Sequence, residues 1–415
     1  MNGYREKNAK LEYFCVISFI FLSIDTLLLG TNRDSRANTI LVVLTAFITI
    51  VLFIRKLITI EHLEMARREF VCVMSMLFLL MTSQIKALII NENAVENQYL
   101  YNYILIVFVY EIGQIVSLES FCTKYVNVMA LLAVAAIILY VADILGILNF
   151  FPSIIVTNTG GFQYHYFGVG AMMEHMQYFA IRAYGIFREP GVFAIYLCTA
   201  IGMELFFSKE IGIAKVSILS VALILTFSTA GYIVLIALIS LYFLLRVRNK
   251  REFYFKLFIV IIAIVFSAFF LDKVYNQVFG KLHVKNPSLD SRVYSIVSGL
   301  EFSIRAPLLG LGWNYVSSNF EKSTMNRYGL GGVAFTNTYL RMAATYGWIY
   351  TLIMLNNIFL FFKRALKKNR PYNSKSVALC LLMIWIIMFS NEGMVLNPLL
   401  YLWMLNEEKI RNDSF

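Results

Sequence analysis

The sequence predicts an all-α, polytopic integral membrane protein with about twelve transmembrane helices and two long extracytoplasmic loops. Composition is the first observation behind that expectation. Of 415 residues, 59% are hydrophobic and only 15% charged, and the mean hydropathy is +0.69. A water-soluble domain of this size needs a polar surface that such a chain cannot supply. The second observation is that the apolar residues gather into runs of bilayer length, near 11–30, 38–54, 70–90, 99–117, 123–145, 190–207, 213–228, 231–246, 257–271, 337–362, 376–390 and 394–406. The first run is too long for a secretory signal and has no small-x-small cleavage site after it, so it reads as a retained anchor. Residues 1–415 form a single transmembrane domain on this reading.

The third observation is the asymmetry of basic residues, which are retained on the cytoplasmic side in short loops. With the amino terminus inside, the cytoplasmic segments hold clusters such as Arg246, Arg248, Lys250 and Arg251, or Lys363, Arg364, Lys367 and Lys368. The outer loop 91–98 has acids and no base. Both termini are then cytoplasmic. Residues 213–246 are expected as a hairpin around Ser228, Thr229, Ala230 and Gly231, because one continuous helix there would push the basic loop RVRNKREFYFK outside.

Two long hydrophilic stretches, 146–189 and 272–336, fall on the outer face on this topology. Stretches of that length without obvious structure are where chemistry or binding is expected. The formal net charge of +11 reflects cytoplasmic retention rather than nucleic-acid binding. No G-x-x-x-x-G-K-[ST] motif encodes an ATP-driven pump. The histidines His62, His165, His175 and His283 form no H-E-x-x-H pair, and no metal site is expected. Cys15, Cys72, Cys198 and Cys380 fall in expected spans and Cys122 in a cytoplasmic loop, so no disulfide staples an outer loop.

Asp25, Lys86, Glu111, Asp143 and Glu204 lie within expected spans, where an ionisable group is costly. Structural pairing is the reading for Asp25 and Glu111, with Lys86 or a water-filled gap as partner; Asp143 and Glu204 stay open. The outer arginines are the stronger signal. Arg182, Arg188, Arg292, Arg305, Arg327 and Arg341 sit outside or at the outer surface, against the bias that keeps basic residues inside. Guanidinium groups bind phosphate oxygens bidentately and do not deprotonate, which suits a pyrophosphate at headgroup level. The competing account pairs each with a lipid headgroup or with Glu189, Asp290 or Glu301.

Several motifs carry a resemblance. SRVYSIVSGLEFSIRAPLLGLGWNYV (291–316) followed by FTNTYLRMAATYGWIYTLI (335–353) resembles the paired pattern of the O-antigen ligase and polymerase superfamily. FREPGVFA (187–194) resembles the Arg-x-x-Gly segment of Wzy-type polymerases of O-antigen and capsule, and LTFSTAGY (225–232) the Ser-Thr-x-Gly hairpin between. The likeness covers the second half of the chain by motif and the first half by topology only.

The resemblance implies a GT-C-like glycosyltransferase at the cytoplasmic (inner) membrane of a bacterium, with its site facing the periplasm. It implies no cofactor and no nucleotide sugar. Its partners would be undecaprenyl-pyrophosphate-linked oligosaccharide and membrane lipid, with a flippase and a chain-length regulator as protein partners and no nucleic acid. Arg188 and Arg292 are carried over as the catalytic clamp on the leaving pyrophosphate. Arg182 and Arg305 stand in second rank as substrate-binding residues, with Asn337, Glu189 and His165. Pro190 and Gly191 read more simply as a helix start, and Gly310 and Gly312 as turn residues. The chain departs from the ligases at one point, with Thr336 where they carry His before the Asn. Threonine is no general base near neutral pH, leaving His165, His175, Glu174 and Glu189, or no base at all. A repeat-unit polymerase is the leading expectation; a ligase and a lipid-oligosaccharide flippase are its alternatives.

Overall fold

The computed structural model describes residues 2–30, 35–59, 67–91, 97–158, 161–174, 181–245, 254, 287–328, 335–369 and 374–405. The expected span 257–271 and His175 lie outside them. The chain is mostly helical: α1 (Asn2–Phe21), α2 (Ser35–Thr59), α3 (Arg67–Asn91), α4 (Asn97–Ile115), α5 (Leu118–Ile144), α6 (Pro190–Phe206), α7 (Ile213–Leu225), α8 (Thr229–Leu245), α9 (Pro287–Arg305), α10 (Trp313–Tyr328), α11 (Thr338–Tyr346), α12 (Trp348–Asn369) and α13 (Ser374–Phe389). Among the described residues, four helices are long and apolar enough to cross a bilayer, at Arg36–Arg55, Phe70–Ile89, Leu118–Ile144 and Trp348–Leu366. Shorter apolar helices flank them at Pro190–Phe206, Ile213–Leu225, Thr229–Leu245 and Lys375–Phe389. This is the pattern of a multi-pass membrane protein.

Burial sorts the helices by solvent. On α2, Ile40, Val43, Phe47, Ile50 and Ile54 all face outward, an apolar face that water would penalise and lipid tails accept. Helix α6 is the opposite case: nearly every residue from Val192 to Phe206 is buried, and it packs against α5, α7 and α8. It is the axis of the bundle. Helices α7 and α8 are separate, joined by a turn in which Phe227 adopts φ 49°. The Thr226 hydroxyl accepts from the Ser228 amide at 3.2 Å, and Ser228 Oγ from the Gly231 amide at 3.2 Å. A side chain at Gly231 would lie 3.0 Å from Ala194 Cβ, so glycine lets α8 approach α6.

Four expectations need correction. The first apolar run does not stay helical to residue 30: α1 stops at Phe21, where Ser23 and Thr26 turn the chain by local bonds, Thr26 Oγ1 donating to Ser23 O at 2.8 Å. The stretch 146–189, expected as a loop within an all-α fold, has regular structure of its own. It carries a three-stranded antiparallel sheet in the order β1 (Ile154–Thr157), β2 (Gln163–Tyr166), β3 (Ala171–Met173). Gly161 and Gly168 supply positive φ between these strands, and Val156, Tyr164 and Tyr166 pack with Leu27 and Tyr184.

The run 337–362 is broken at Gly347. There the backbone takes φ 95° and ψ 163°, and the turn after α9 replaces the helix's own hydrogen bonds. Leu311 N donates to Ala344 O at 2.7 Å, Gly312 N to Thr345 O at 3.1 Å, and Trp348 N to Pro307 O at 2.7 Å. Lys86 closes the other side, its ammonium donating to Gly310 O at 2.6 Å, and so is not the partner of Asp25. The last run, 394–406, is not a spanning helix either. Pro398–Met404 is a seven-residue 3-10 helix about 14 Å long, buried throughout. It is apolar because protein surrounds it.

The Gly347 break makes a stability prediction. A Cβ there would sit 2.1 Å from Leu308 O, on a backbone conformation that L residues avoid. Gly347→Ala is expected to cost about 1–3 kcal/mol and to lower the thermal unfolding midpoint of the detergent-solubilised protein. Gly202→Ala is the control, because its Cβ would meet only Leu238 at 3.7 Å.

Candidate anion-binding site

The segment after α1 and the segment before α6 run antiparallel at the start of α6. Leu27 N donates to Ile186 O at 3.0 Å, Arg188 N to Asp25 O at 3.0 Å, and Thr26 pairs with Phe187. This short ladder fixes Arg188. Its Nε lies 2.9 Å from Asp25 Oδ1 and its Nη1 2.9 Å from Glu189 Oε1. The other carboxylate oxygen of Asp25 accepts from Asn397 Nδ2 at 2.6 Å. Asn397 Nδ2 also donates to Ser23 Oγ at 3.2 Å and to the Tyr196 hydroxyl at 3.0 Å. Tyr164 of β2 donates to Arg188 O at 3.2 Å. The guanidinium is thus built in by three separate parts of the chain while its side chain stays 20% exposed, enough for a ligand to reach it. Burial opposes its charge, but Glu189 and Asp25 outweigh burial and hold it protonated more firmly than a free guanidinium.

Glu392, between α13 and the 3-10 helix, completes the cluster. The Thr338 hydroxyl donates to the Glu392 carbonyl and accepts from Met394 N at 2.9 Å, which pins this turn to the start of α11. The Glu392 carboxyl lies over the first turn of α6: Oε1 is 2.0 Å from where a Cβ on Gly191 would be, so only glycine admits it. Burial and the nearby Glu189 push its carboxyl well above the usual carboxylate range, against the opposing fields of Arg188 and Arg292. Arg292 is brought in on α9, which packs on α11, and Thr336 N donates to Ser295 Oγ at 3.0 Å across that contact. Arg341, one turn into α11, lies 4.4 Å over the Trp313 ring. Its Nη1 is 3.3 Å from the Cβ position of Gly393, and it is within electrostatic reach of Arg188.

The expected site residues separate into two sets. Arg188, Glu189 and Arg292 converge around Glu392, although more than a hundred residues part Arg188 from Arg292. Asn337 adjoins them as the N-cap of α11, its side chain accepting from Leu340 N at 3.0 Å, a structural job. Arg305 is accounted for locally by Glu301 at 2.7 Å and by the Phe302 ring at 4.7 Å. Arg182 acts on Tyr184 and Tyr232. His165 alternates with Tyr164 along β2 and so faces away from Arg188. Its Nδ1 is 2.9 Å from Ser153 Oγ, in a cavity of about 390 Å³ shared with Asp143 and Glu174. Glu204 accepts from Gly212 N at 2.6 Å and Ser208 Oγ at 2.9 Å, closing the turn after α6. Sequence reasoning missed Glu392 and Asn397. A lone acid beside glycine between two apolar runs, Asn391-Glu392-Gly393-Met394, was the available signal. Among the described residues no group of His, Cys, Asp and Glu is placed to hold a metal.

Comparison with known proteins agrees with part of this picture. The chain is similar to the O-antigen ligase family over residues 214–355. No curated protein matches. The matched segment holds the α7–α8 turn, Arg292, Asn337 and Arg341, whereas Arg188, Glu189 and Glu392 lie outside it. That family likeness supports a role in polysaccharide assembly at a membrane, acting on lipid-linked glycans.

Removing one partner of a buried ion pair strands the other charge, at about 3–5 kcal/mol. Asp25→Ala is therefore expected to destabilise the solubilised protein strongly, while Asp25→Ala combined with Arg188→Ala costs less than the sum of the single changes. Additivity in that double-mutant cycle, read by thermal unfolding, would show that the pair does not couple.

Proposed function

We propose that this protein is a polysaccharide polymerase, joining lipid-pyrophosphate-linked oligosaccharide repeat units on the outer face of the bacterial cytoplasmic membrane. The observation that carries the reading is the convergence of Arg188 and Arg292, from two separate stretches of the chain, on one partly open site at the start of α6. Three arginines gathered at one place, with Arg341 the third, match a doubly charged pyrophosphate better than a single lipid headgroup does.

The chemistry follows from the charge. A glycan carried on a lipid pyrophosphate is activated at its anomeric carbon. As that bond breaks, negative charge grows on the leaving oxygen, and guanidinium groups already fixed in place stabilise it without reorganising. Arg188 is fixed by Asp25 and Glu189, so its geometry is set before substrate arrives. The acceptor is the hydroxyl of a second lipid-linked repeat unit. The ligase reading is favoured by one observation, the ligase description of the matching family. The polymerase reading rests on Thr336, whose hydroxyl is engaged with Ser295 Oγ at 3.3 Å where the ligases carry His.

Cells lacking the protein are expected to attach single repeat units but make no long polysaccharide; polymer left unattached on the carrier lipid would instead mean a ligase, and repeat units stranded on the cytoplasmic face a flippase. Arg292→Ala is expected to abolish polymer at normal protein abundance, and Arg188→Lys, which leaves a cation beside Asp25, to make much less polymer at normal abundance because a point charge lacks the fork; Arg188→Ala is expected to lose abundance as well. Topology reporters after Asn158 and Arg251 are expected to read outside and cytoplasm respectively, and a cytoplasmic signal at Asn158 would overturn the outward-facing site.

A further inference from the structure

The polymerase reading leaves the acceptor's proton unassigned, and the Glu189 and Glu392 pair answers it. The Glu392 carboxyl lies within direct electrostatic reach of the Glu189 carboxylate. Two carboxylates that close repel when both are ionised, so one of them holds a proton. Burial decides which: Glu392 is 8% exposed, enclosed by the first turn of α6 at Gly191 and by Thr338 on its backbone, whereas the Glu189 side chain is 47% exposed. Glu189 is also the residue bonded to Arg188 Nη1, so it lies beside the guanidinium assigned to the leaving pyrophosphate. The charged and titratable groups that face Glu392 are Glu189 and Arg188 from the segment before α6 and Arg292 from α9, with Arg341 of α11 beside the adjoining Gly393.

We propose that Glu189 is the general base that takes the acceptor hydroxyl's proton, and that Glu392 is a positioning residue, a buried acid that donates a hydrogen bond to Glu189 and holds it toward the acceptor. The inference rests on the glycosyl-transfer reading of the same site. In the step, the acceptor oxygen forms a bond to the anomeric carbon of the donor glycan while the bond from that carbon to the pyrophosphate oxygen breaks. The electron pair leaves on the pyrophosphate, next to Arg188, and the acceptor's proton passes to a Glu189 carboxylate oxygen. No oxidant, nucleotide or metal enters the balance. Loss of the proton on Glu392 would put two negative charges together and break the bond that orients Glu189, so transfer declines as pH rises through the ionisation of Glu392.

The test uses membranes containing the full-length protein, supplied with lipid-linked repeat units extracted from cells that lack it, and reads chain elongation against pH. Binding of farnesyl pyrophosphate is measured in parallel. Glu189→Gln, whose amide oxygen can still accept from Arg188 Nη1, should weaken farnesyl pyrophosphate binding far less than elongation, which should fall about 100-fold or more, the usual contribution of a general base. Glu392→Ala should also elongate poorly. Glu392→Gln, whose amide still donates to Glu189 but cannot ionise, should recover at least tenfold over Glu392→Ala and lack the alkaline decline. Elongation by Glu189→Gln within threefold of the native rate would overturn the base assignment with the polymerase reading intact. Equal loss in the Gln and Ala variants of Glu392 would overturn the positioning role. Native membranes that bind farnesyl pyrophosphate but elongate nothing would sink the transfer reading, and this inference with it.

Discussion

The structure turns on the ion pair between Arg188 and Asp25. A charged side chain packed among apolar helices is tolerable only with a partner, and Arg188 has one that is itself locked: Asp25 is 2% exposed and held by Asn397. The pair ties together the chain after α1, the start of the central helix α6 and the last buried segment of the bundle. These pieces are far apart in sequence. Pairs of this kind add little net stability against apolar packing, yet losing one member is costly, so the interaction specifies one arrangement. That arrangement presents a guanidinium, preoriented and partly open, at the start of α6.

Around that fixed point the cluster is close to charge-balanced, with Arg188, Arg292 and Arg341 against Asp25, Glu189 and Glu392. Keeping Glu392 un-ionised tips the sum positive, which favours an anion over a cation. The glycines have a specific part in this. Gly191 admits the Glu392 carboxyl to the first turn of α6, and at Gly393 the Arg341 guanidinium passes close to the backbone. The sheet contributes a backing rather than a ligand, through the Tyr164 hydroxyl on the Arg188 carbonyl.

Much of this was legible in the sequence, because a bilayer imposes a length on apolar helices that composition reveals directly. Helices α2 to α8 begin and end within a few residues of their apolar runs. The misreadings have a common cause: an apolar run says that a segment avoids water, not that lipid surrounds it. The 3-10 helix Pro398–Met404 is apolar because protein encloses it, and the run through Gly347 is cut by backbone bonds from the turn at 307–312, which no local pattern announces. In the site, Arg188 and Arg292 were two of six arginines whose expected outer placement runs against the topological bias, and only the motif resemblance singled them out. Their convergence did not show, and Glu392 was invisible because its meaning comes from Gly191, two hundred residues earlier. Asp25 was read as structurally paired, which holds, but its partner is Arg188 and not Lys86.

The central claim is that Asp25 holds Arg188 as a preformed site for a lipid pyrophosphate. The most direct measurement is equilibrium binding of farnesyl pyrophosphate, compared with farnesol, to the purified protein in detergent, for the native chain and for Arg188→Ala. The account predicts saturable binding that needs the pyrophosphate and weakens tenfold or more, about 1.4 kcal/mol, when Arg188 is removed. Equal affinity in the two proteins, or equal affinity for farnesol, would contradict it.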